Sequence, residues 1–255
     1  MDILSAAILG LVEGITEFLP ISSTGHLILA SRLLGIPTTE FLKSFEITIQ
    51  LGAILAVLAL YWRSFLSLPI LKRLLAGFIP TAIIGYLLYG FLKGVLLENP
   101  MIVVYSLAIG GVLLILLEYF HTEDAEGPDT PEGITYRQSF LIGLFQAIAI
   151  VPGVSRSGAT IMGGLLIGVR RVAIVEFSFL LAVPTMMAAT GLDLFKNYQT
   201  FESADIAALS VGFVVSFVVA LCAIRFLLQY VRKHSFVPFG IYRILIAGLF
   251  FLFVL

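Results

Sequence analysis

Residues 13–26 read EGITEFLPISSTGH and place two carboxylates, a run of three hydroxyls and an imidazole beside a proline. Glu13 and Glu17 are four residues apart, so on a helix they share one face and repel each other if both are ionised. Two arrangements relieve that repulsion. Either one carboxyl is protonated and acts as a general acid or base, or a divalent cation such as Mg²⁺ or Ca²⁺ lies between the two.

The hydroxyls of Ser22, Ser23 and Thr24 follow this pair, and His26 follows Ser23 by three residues. A hydroxyl with a carboxylate and an imidazole within reach has the parts of an activated nucleophile. Ser23 and His26 share a face if the segment is helical. A plainer role is also open, because Ser and Thr often cap a helix N-terminus. Capping uses one hydroxyl and leaves two for chemistry.

A second polar stretch, PGVSRSGAT at residues 152–160, predicts a phosphate-binding segment. Its glycines permit tight turns, and the helix expected from Ala159 onward presents free N–H groups to an anion. Arg156 adds a planar fork of donors that matches phosphate oxygens. The alternative is a structural ion pair between Arg156 and a glutamate of the first stretch. The residues assigned to phosphate binding are Ser22, Thr24, Gly153, Ser155, Arg156, Ser157 and Thr160.

The composition of the chain indicates that both stretches belong to a membrane protein. The 255 residues are 60% hydrophobic and 12% charged, with a mean hydropathy of +1.08, whereas soluble domains carry about 25% charged residues. An all-α fold follows, since a chain in lipid must satisfy its own backbone hydrogen bonds. The net charge of −1 gives no reason to expect a nucleic-acid partner. Cys222 is the only cysteine, which excludes an intrachain disulfide.

Six apolar stretches approach the about 20 residues that a helical span needs. They are residues 47–62, 74–92, 99–117, 177–194, 206–224 and 236–255. The two polar stretches interrupt two further apolar segments, 3–34 and 138–169, into halves of about ten residues that reach only about 15 Å. We therefore predict two re-entrant helical hairpins, each with its polar turn near the membrane midplane. Such turns are tolerated there only where protein or water surrounds them.

Segments in the first half of the chain resemble segments in the second half. Residues 10–25, GLVEGITEFLPISSTG, match residues 143–158, GLFQAIAIVPGVSRSG, and residues 99–111 echo 237–248. We predict two repeats, 1–120 and 138–255, joined by an exposed acidic linker at 121–137. Each repeat holds one hairpin and three spans, and because three is odd the second repeat enters the membrane from the opposite side. Such inverted repeats usually place a binding site at the midplane between them.

Loop charges predict the orientation. Basic residues concentrate on one side, which the positive-inside rule makes cytoplasmic. The first hairpin then opens toward the outside. The basic residues of the cytoplasmic side are Arg63, Lys72, Arg73, Arg137, Arg170, Arg171, Arg225, Arg232 and Lys233.

Both polar stretches closely resemble the two signature segments of the undecaprenyl-diphosphatase family, the bacterial bacitracin-resistance proteins. Residues 44–57 and 176–189 resemble its flanking spans, and the likeness runs essentially from end to end. It implies hydrolysis of undecaprenyl diphosphate to undecaprenyl phosphate and inorganic phosphate, which recycles the lipid carrier of peptidoglycan synthesis. It also implies a Mg²⁺ or Ca²⁺ cofactor and an inner-membrane protein whose site opens to the periplasm.

Carried onto this sequence, the resemblance implies roles for five side chains. Glu13 and Glu17 would bind the metal and act as acid and base, Ser23 would be the nucleophile, and His26 the catalytic histidine. Arg156 would bind the diphosphate. A water molecule held by His26 is the alternative nucleophile.

Two rival classes remain on the sequence alone. A transporter or flippase of this lipid would share the inverted repeats and the anion site, but would not need a nucleophile. A membrane scaffold would need neither paired carboxylates nor a deep arginine. The predicted partners are the lipid diphosphate and the surrounding membrane lipids, and the chain is compatible with a monomer or a homodimer.

Overall fold

The structure, a computed structural model, describes residues 1–91, 100–197 and 206–254, and within them it contains helices and no strands. This confirms the predicted all-α fold. Two single 3₁₀ turns lie at Ser64–Leu66 and Pro131–Gly133. The α-helices are α1 Ile3–Thr16, α2 Ser23–Leu33, α3 Glu40–Tyr61, α4 Leu68–Phe91, α5 Pro100–Phe120, α6 Tyr136–Ile148, α7 Arg156–Leu166, α8 Arg171–Asn197, α9 Ile206–Val231 and α10 Val237–Val254.

In the described part of the chain five helices, α3, α4, α5, α8 and α9, are long and apolar enough to cross a membrane. They confirm five of the six predicted spans and make this a multi-pass membrane protein. The sixth predicted span is α10, an apolar helix of 18 residues that measures about 27 Å. Residues 92, 99 and 255 of the predicted spans lie outside the described part of the chain.

The two broken segments are helix–turn–helix hairpins, as predicted. Helices α1 and α6 have 14 and 13 residues, and α2 and α7 have 11 each. Each is therefore about 17–21 Å long, too short for a hydrocarbon core of about 30 Å. We call residues 17–22 the first elbow and residues 149–155 the second elbow. Helix α7 begins at Arg156, three residues earlier than predicted, which places that guanidinium at the helix N-terminus.

The first elbow is enclosed by protein. Phe18 has no exposed surface and packs edge-to-face on Phe179 of α8, with ring centroids 5.4 Å apart. Backbone that leaves regular helix is tolerated at membrane depth only in such surroundings. The elbow is thereby held in a fixed position relative to α8.

The hairpins pack on helices from the other half of the chain. Helix α1 packs on α9, and α6 packs on α4, while α5 pairs with α10 and α3 with α8. Both hairpin contacts use glycines. A Cβ at Gly10 would lie 2.5 Å from the carbonyl oxygen of Gly212, and a Cβ at Gly143 would overlap that of Gly77. Helices that approach so closely need small residues at the crossing.

We expect Gly143→Ala to destabilise the protein, because its methyl group would overlap the backbone of α4. Overpacking of this kind costs about 1–3 kcal/mol, which corresponds to several degrees in Tm for a chain of this size. Gly248→Ala is the matched control, since nothing lies within 4 Å of its Cβ. Thermal unfolding in detergent measures both. Equal Tm changes in the two variants would contradict the close α6–α4 packing.

Residues 121–135, which form most of the predicted linker, are mostly exposed, although Pro131 and Ile134 are buried. The last two residues of the predicted linker, 136 and 137, belong to α6. Arg171 joins the linker to the helices: its guanidinium binds Glu118 at two points, and its backbone N–H donates to Glu123 (2.8 Å). This ion-pair cluster lies at the ends of α5, α8 and α10, apart from both elbows.

Candidate active site

Each elbow ends in a serine with left-handed backbone. Ser22 has a φ of 71° and Ser155 a φ of 73°, and they are the only non-glycine residues with positive φ in the described part of the chain. They occupy matching positions when residues 10–25 and 143–158 are aligned without gaps. A non-glycine residue in such a conformation costs about 1–3 kcal/mol, and such strain clusters at functional sites. Because each serine precedes a short helix, its backbone sets the direction of α2 or α7.

The two serines differ in what their side chains do. The Oγ of Ser155 accepts from the Gly158 N–H at 3.1 Å and caps α7. Ser22 occupies the N-cap position of α2 but makes no capping bond, so the capping role expected of a hydroxyl in the first stretch is not filled by Ser22. The cap in the second hairpin was not predicted. The first-turn N–H groups of α2 consequently have no side-chain partner from Ser22.

We expect Ser22→Gly to raise the Tm by a few degrees, because glycine adopts positive φ without steric cost and no capping bond is lost. The gain corresponds to about 1 kcal/mol or more of relieved strain. Ser22→Ala keeps the strain and is the control, for which we expect no gain. Thermal unfolding of both variants measures the difference, and a glycine variant no more stable than the alanine variant would contradict a strained Ser22.

The first elbow is bonded directly to the start of α7. The Ser157 hydroxyl donates to the carbonyl of Leu19 (2.8 Å) and lies 3.1 Å from the Ser155 hydroxyl. All of these groups are buried. The helix starts of the two hairpins therefore meet in one place.

Glu17 connects the two polar stretches. Its Oε2 accepts from the Ser23 hydroxyl at 2.6 Å, and its Oε1 accepts from Nη2 of Arg156 at 3.1 Å. Arg156 also donates from Nη1 to the carbonyl of Ser178 (2.8 Å), and its guanidinium lies over the ring of Phe18. The ion pair between the elbows, weighed above as an alternative to phosphate binding, is present. The Nε of Arg156 is buried and has no hydrogen-bond partner.

One cavity of about 230 Å³ lies beside these groups. Residues at the N-termini of α2 and α7 line it, so two helix ends present the partial positive charge of their dipoles to the same space. Seven of the predicted site residues line it: Glu17, Ser22, Ser23, Thr24, Gly153, Ser155 and Arg156. The remaining lining is Gln50, Met186 and residues 149–152. A cavity with this lining is suited to an anion beside a serine hydroxyl.

Glu13, the predicted metal ligand one turn before Glu17, is fully buried, and neither of its carboxylate oxygens has a hydrogen-bond partner. Such a group is costly unless a proton or a cation compensates it. Within the described residues no group of three or more His, Cys, Asp or Glu is arranged to hold a metal ion. Two carboxylates still suit Mg²⁺, which commonly takes one or two carboxylates and completes its shell with water and substrate phosphate. The residues present therefore fit the implied cation.

His26 does not pair with Ser23, contrary to the sequence expectation. Its Nδ1 lies 2.7 Å from the carbonyl of Ser22, which can only accept, so Nδ1 carries the proton. Nε2 of the neutral ring then accepts from the Tyr242 hydroxyl at 2.9 Å, and the two rings stack. The Ser23 hydroxyl donates to Glu17 instead, because a carboxylate is a stronger acceptor than a neutral imidazole. His26 thus holds the backbone of the strained serine.

Ser157 and Thr160, both predicted to bind phosphate, have buried hydroxyls that do not line the cavity. Ser157 bonds to the first elbow, and Thr160 bonds to the Ser178 hydroxyl of α8 at 2.6 Å. Helical spacing correctly placed both residues near the second elbow, but the neighbours that their hydroxyls meet come from distant parts of the chain. In the structure these two side chains hold the site together.

The chain has clear relatives. A family described as bacitracin resistance protein BacA matches residues 6–249. The chain belongs to this family. An undecaprenyl-diphosphatase of Sulfurihydrogenibium sp. is 55% identical over 99% of both chains, and one of Wolinella succinogenes is 52% identical over 100% of this chain and 99% of the other. One of Aquifex aeolicus is 51% identical over 97% of this chain and 98% of the other.

The site also includes residues whose contacts could not be predicted from the sequence. As polar residues deep in predicted spans, Gln50 and Arg243 were expected to support the site or to join helices, but their partners could not be inferred. Tyr242 gave no sign of contacting His26. Ser178 contributes both its carbonyl, to Arg156, and its hydroxyl, to Thr160. A backbone carbonyl as a partner for arginine leaves no signal in a sequence.

Proposed function

We propose that this protein is an undecaprenyl-diphosphatase, which hydrolyses undecaprenyl diphosphate to undecaprenyl phosphate and inorganic phosphate. This activity recycles the lipid carrier of peptidoglycan synthesis and confers bacitracin resistance. Membership of the BacA family and the names of the full-length relatives support it. The observation that carries it is the contact of Ser23 with Glu17 and of Glu17 with Arg156 beside one cavity.

The geometry supports attack by Ser23 on the terminal phosphorus. As the Oγ–P bond forms, the hydroxyl proton passes to Glu17 and the bond between phosphorus and the bridging oxygen breaks, which releases the lipid monophosphate. Glu17 then loses this proton to the solvent as the lipid monophosphate leaves. Water attacks the phosphoserine with Glu17 taking its proton, and Glu17 returns that proton to the Ser23 oxygen as the Oγ–P bond breaks and inorganic phosphate leaves. A water molecule held by His26 is less well supported as the nucleophile, because both ring nitrogens are already bonded.

Charge at the transferring phosphoryl group lies on its equatorial oxygens in a loose transition state. Arg156 and the N-termini of α2 and α7 are the donors in place to stabilise it. We propose that Glu13 and Glu17 hold a divalent cation, Mg²⁺ or Ca²⁺. When bound, such a cation would neutralise phosphate charge. The unpartnered oxygens of Glu13 support this assignment.

We also propose that the chain consists of two inverted repeats, 1–120 and 138–255, in the inner membrane, with the cavity open to the periplasm. The first helix of each hairpin packs on a long helix of the other repeat, α1 on α9 and α6 on α4, which supports the repeats. The positive φ angles shared by Ser22 and Ser155 support them as well. The distribution of loop charge supports the orientation.

A lipid transporter is the second candidate, since inverted repeats with broken helices are a transporter architecture. A carrier of lipid phosphate requires an anion clamp, but not a serine hydroxyl bonded to a carboxylate. The Ser23–Glu17 bond therefore favours the enzyme.

Phosphate release from undecaprenyl diphosphate by the purified protein in detergent tests the proposal. We expect release with Mg²⁺ or Ca²⁺ and its loss in EDTA. Glu13→Gln, which keeps the shape and removes the charge, should weaken the metal dependence. A well-folded wild type that releases no phosphate with either metal would overturn the enzyme, and lipid translocation in liposomes would then be the measurement.

A further inference from the structure

Arg243 of α10 is the largest of the fully buried side chains, with 1% of its surface exposed. It forms no ion pair with any carboxylate in the described residues. Its partners are five backbone carbonyls, as many as its five N–H groups. They are Leu107 (3.3 Å), Pro20 (3.2 Å), Val154 (2.9 Å), Ser106 (2.9 Å) and Gly153 (3.0 Å). The guanidinium is thus solvated entirely by peptide dipoles.

These five carbonyls belong to three separate segments. Pro20 lies in the first elbow, Gly153 and Val154 in the second, and the other two in α5. Arg243 binds backbone carbonyls of both elbows. The Ser157 side chain also contacts both, because it donates to the carbonyl of Leu19 and lies beside the Ser155 hydroxyl. Arg243 therefore joins the hairpin that carries Ser23 to the hairpin that carries Arg156.

The arginine also orients peptide groups. In a planar trans peptide the C=O and the N–H point in opposite directions. Because the Val154 carbonyl is held by Nη1 at 2.9 Å, the N–H of Ser155 points away from Arg243. Ser155 lines the cavity. Arg243 thus fixes the orientation of the peptide group that leads into Ser155, a residue of the cavity wall, without itself lining the cavity.

The surroundings leave space for a guanidinium at this point. A Cβ at Gly110 would overlap the guanidinium, and a Cβ at Gly158 would lie 3.3 Å from Nη1. Two glycines on different helices thus leave room for one side chain. The arrangement is specific to arginine, since lysine has three donors and no fork.

We propose that Arg243 is a positioning residue for the phosphoryl transfer, which sets how Ser23 stands relative to Arg156 by binding the backbone of both elbows. Misplacement of reacting groups by about 1 Å can lower a rate about 100-fold. The proposal rests on the phosphatase function, and phosphate release by the wild type tests that function separately.

Arg243→Lys tests the proposal because it keeps the positive charge and cannot reach all five carbonyls. We expect kcat to fall about 10- to 100-fold, with KM changed less than threefold. Inhibition by orthovanadate, which takes the trigonal-bipyramidal geometry of the transferring group, should weaken by a similar factor. Inhibition by inorganic phosphate, which needs only the anion clamp, should change less than threefold.

Arg171→Lys is the matched control, because Arg171 is a largely buried arginine whose ion pairs lie apart from the elbows. We expect it to leave kcat unchanged even if the Tm falls. A folded Arg243→Lys protein with wild-type kcat would overturn the proposal. The proposal would also be overturned if kcat, vanadate binding and phosphate binding all fell in proportion to the fraction of folded protein.

If Arg243→Lys does not fold, Ser157→Ala decides, because it removes a further bond between the two hairpins, from the start of α7 to Leu19, and leaves the Glu17–Arg156 ion pair in place. We expect its kcat to fall about fivefold or more with KM unchanged. Wild-type kcat in this variant would show that the relative position of the elbows does not limit the rate, and would overturn the proposal.

Discussion

Arg156→Ala is expected to lower kcat/KM for undecaprenyl diphosphate by about three orders of magnitude. Arg156 is the one cationic side chain that lines the cavity in the described residues, and it stands at the N-terminus of α7. Arginines that stabilise a transferring phosphoryl group contribute about 10³–10⁵ in rate, which for 10³ corresponds to about 4 kcal/mol of transition-state stabilisation. Steady-state phosphate release measures the loss.

The same substitution also removes the partner of a buried carboxylate, because Glu17 is only 7% exposed. Loss of one member of a buried pair is strongly destabilising, so the Tm of the variant must be measured beside its activity. Arg156→Lys is the matched variant: it keeps a charge near Glu17 but not the fork. We expect it to recover stability more than activity. An Arg156→Ala protein that is folded and retains more than a tenth of wild-type kcat/KM would exclude Arg156 as the anion clamp.

The architecture could be predicted because it follows from apolar length and interruption. Hydrophobic runs gave the long helices, and the clusters of polar residues marked the two places where helix could not continue through lipid. Self-similarity of residues 10–25 and 143–158 then indicated that the interruptions are equivalent. Seven of the predicted site residues line one cavity because each elbow carries its polar groups within a few residues of its helix start.

Side-chain partners could not be predicted, because they come from segments distant in sequence. His26 and Tyr242 are 216 residues apart, and the partners of Arg243 are backbone carbonyls, which every residue carries. Helical spacing placed Ser23 and His26 on one face of a helix, but it could not show that the Ser23 hydroxyl bonds to Glu17 instead. The direction of a hydroxyl depends on this competition and not on spacing.

The two hairpins have the same backbone and different chemistry. In the ungapped alignment, Glu13 corresponds to Gln146 and Ser23 corresponds to Arg156. The Gln146 amide is bonded to the hydroxyls of Thr81 (2.9 Å) and Thr185 (3.0 Å), whereas Glu13 has no partner. In the proposed mechanism, one hairpin would supply the nucleophile, the base and the metal ligands, and the other would supply the anion clamp. Neither is a complete site, which is why the contacts between the elbows matter to the rate.

Ser23→Ala is expected to lower kcat by about 10³ or more and to abolish a phosphoserine intermediate. Removing a nucleophile that acts with its base as one unit eliminates most of the rate that the unit provides. The measurement is acid quench within milliseconds of mixing with substrate labelled in the terminal phosphate, followed by peptide mapping. We expect label on residue 23 of the wild type and none in the variant.

Glu17→Gln is the matched variant for the second half of this mechanism, since it keeps the hydrogen-bonding shape and removes the base. We expect a comparable loss of kcat together with less label on Ser23, because the hydroxyl would no longer have an acceptor for its proton. A Ser23→Ala protein that retains more than a tenth of wild-type kcat would instead require direct attack by water. In that case Glu17 would activate the water, and the 2.6 Å bond from Ser23 would serve to position the carboxylate.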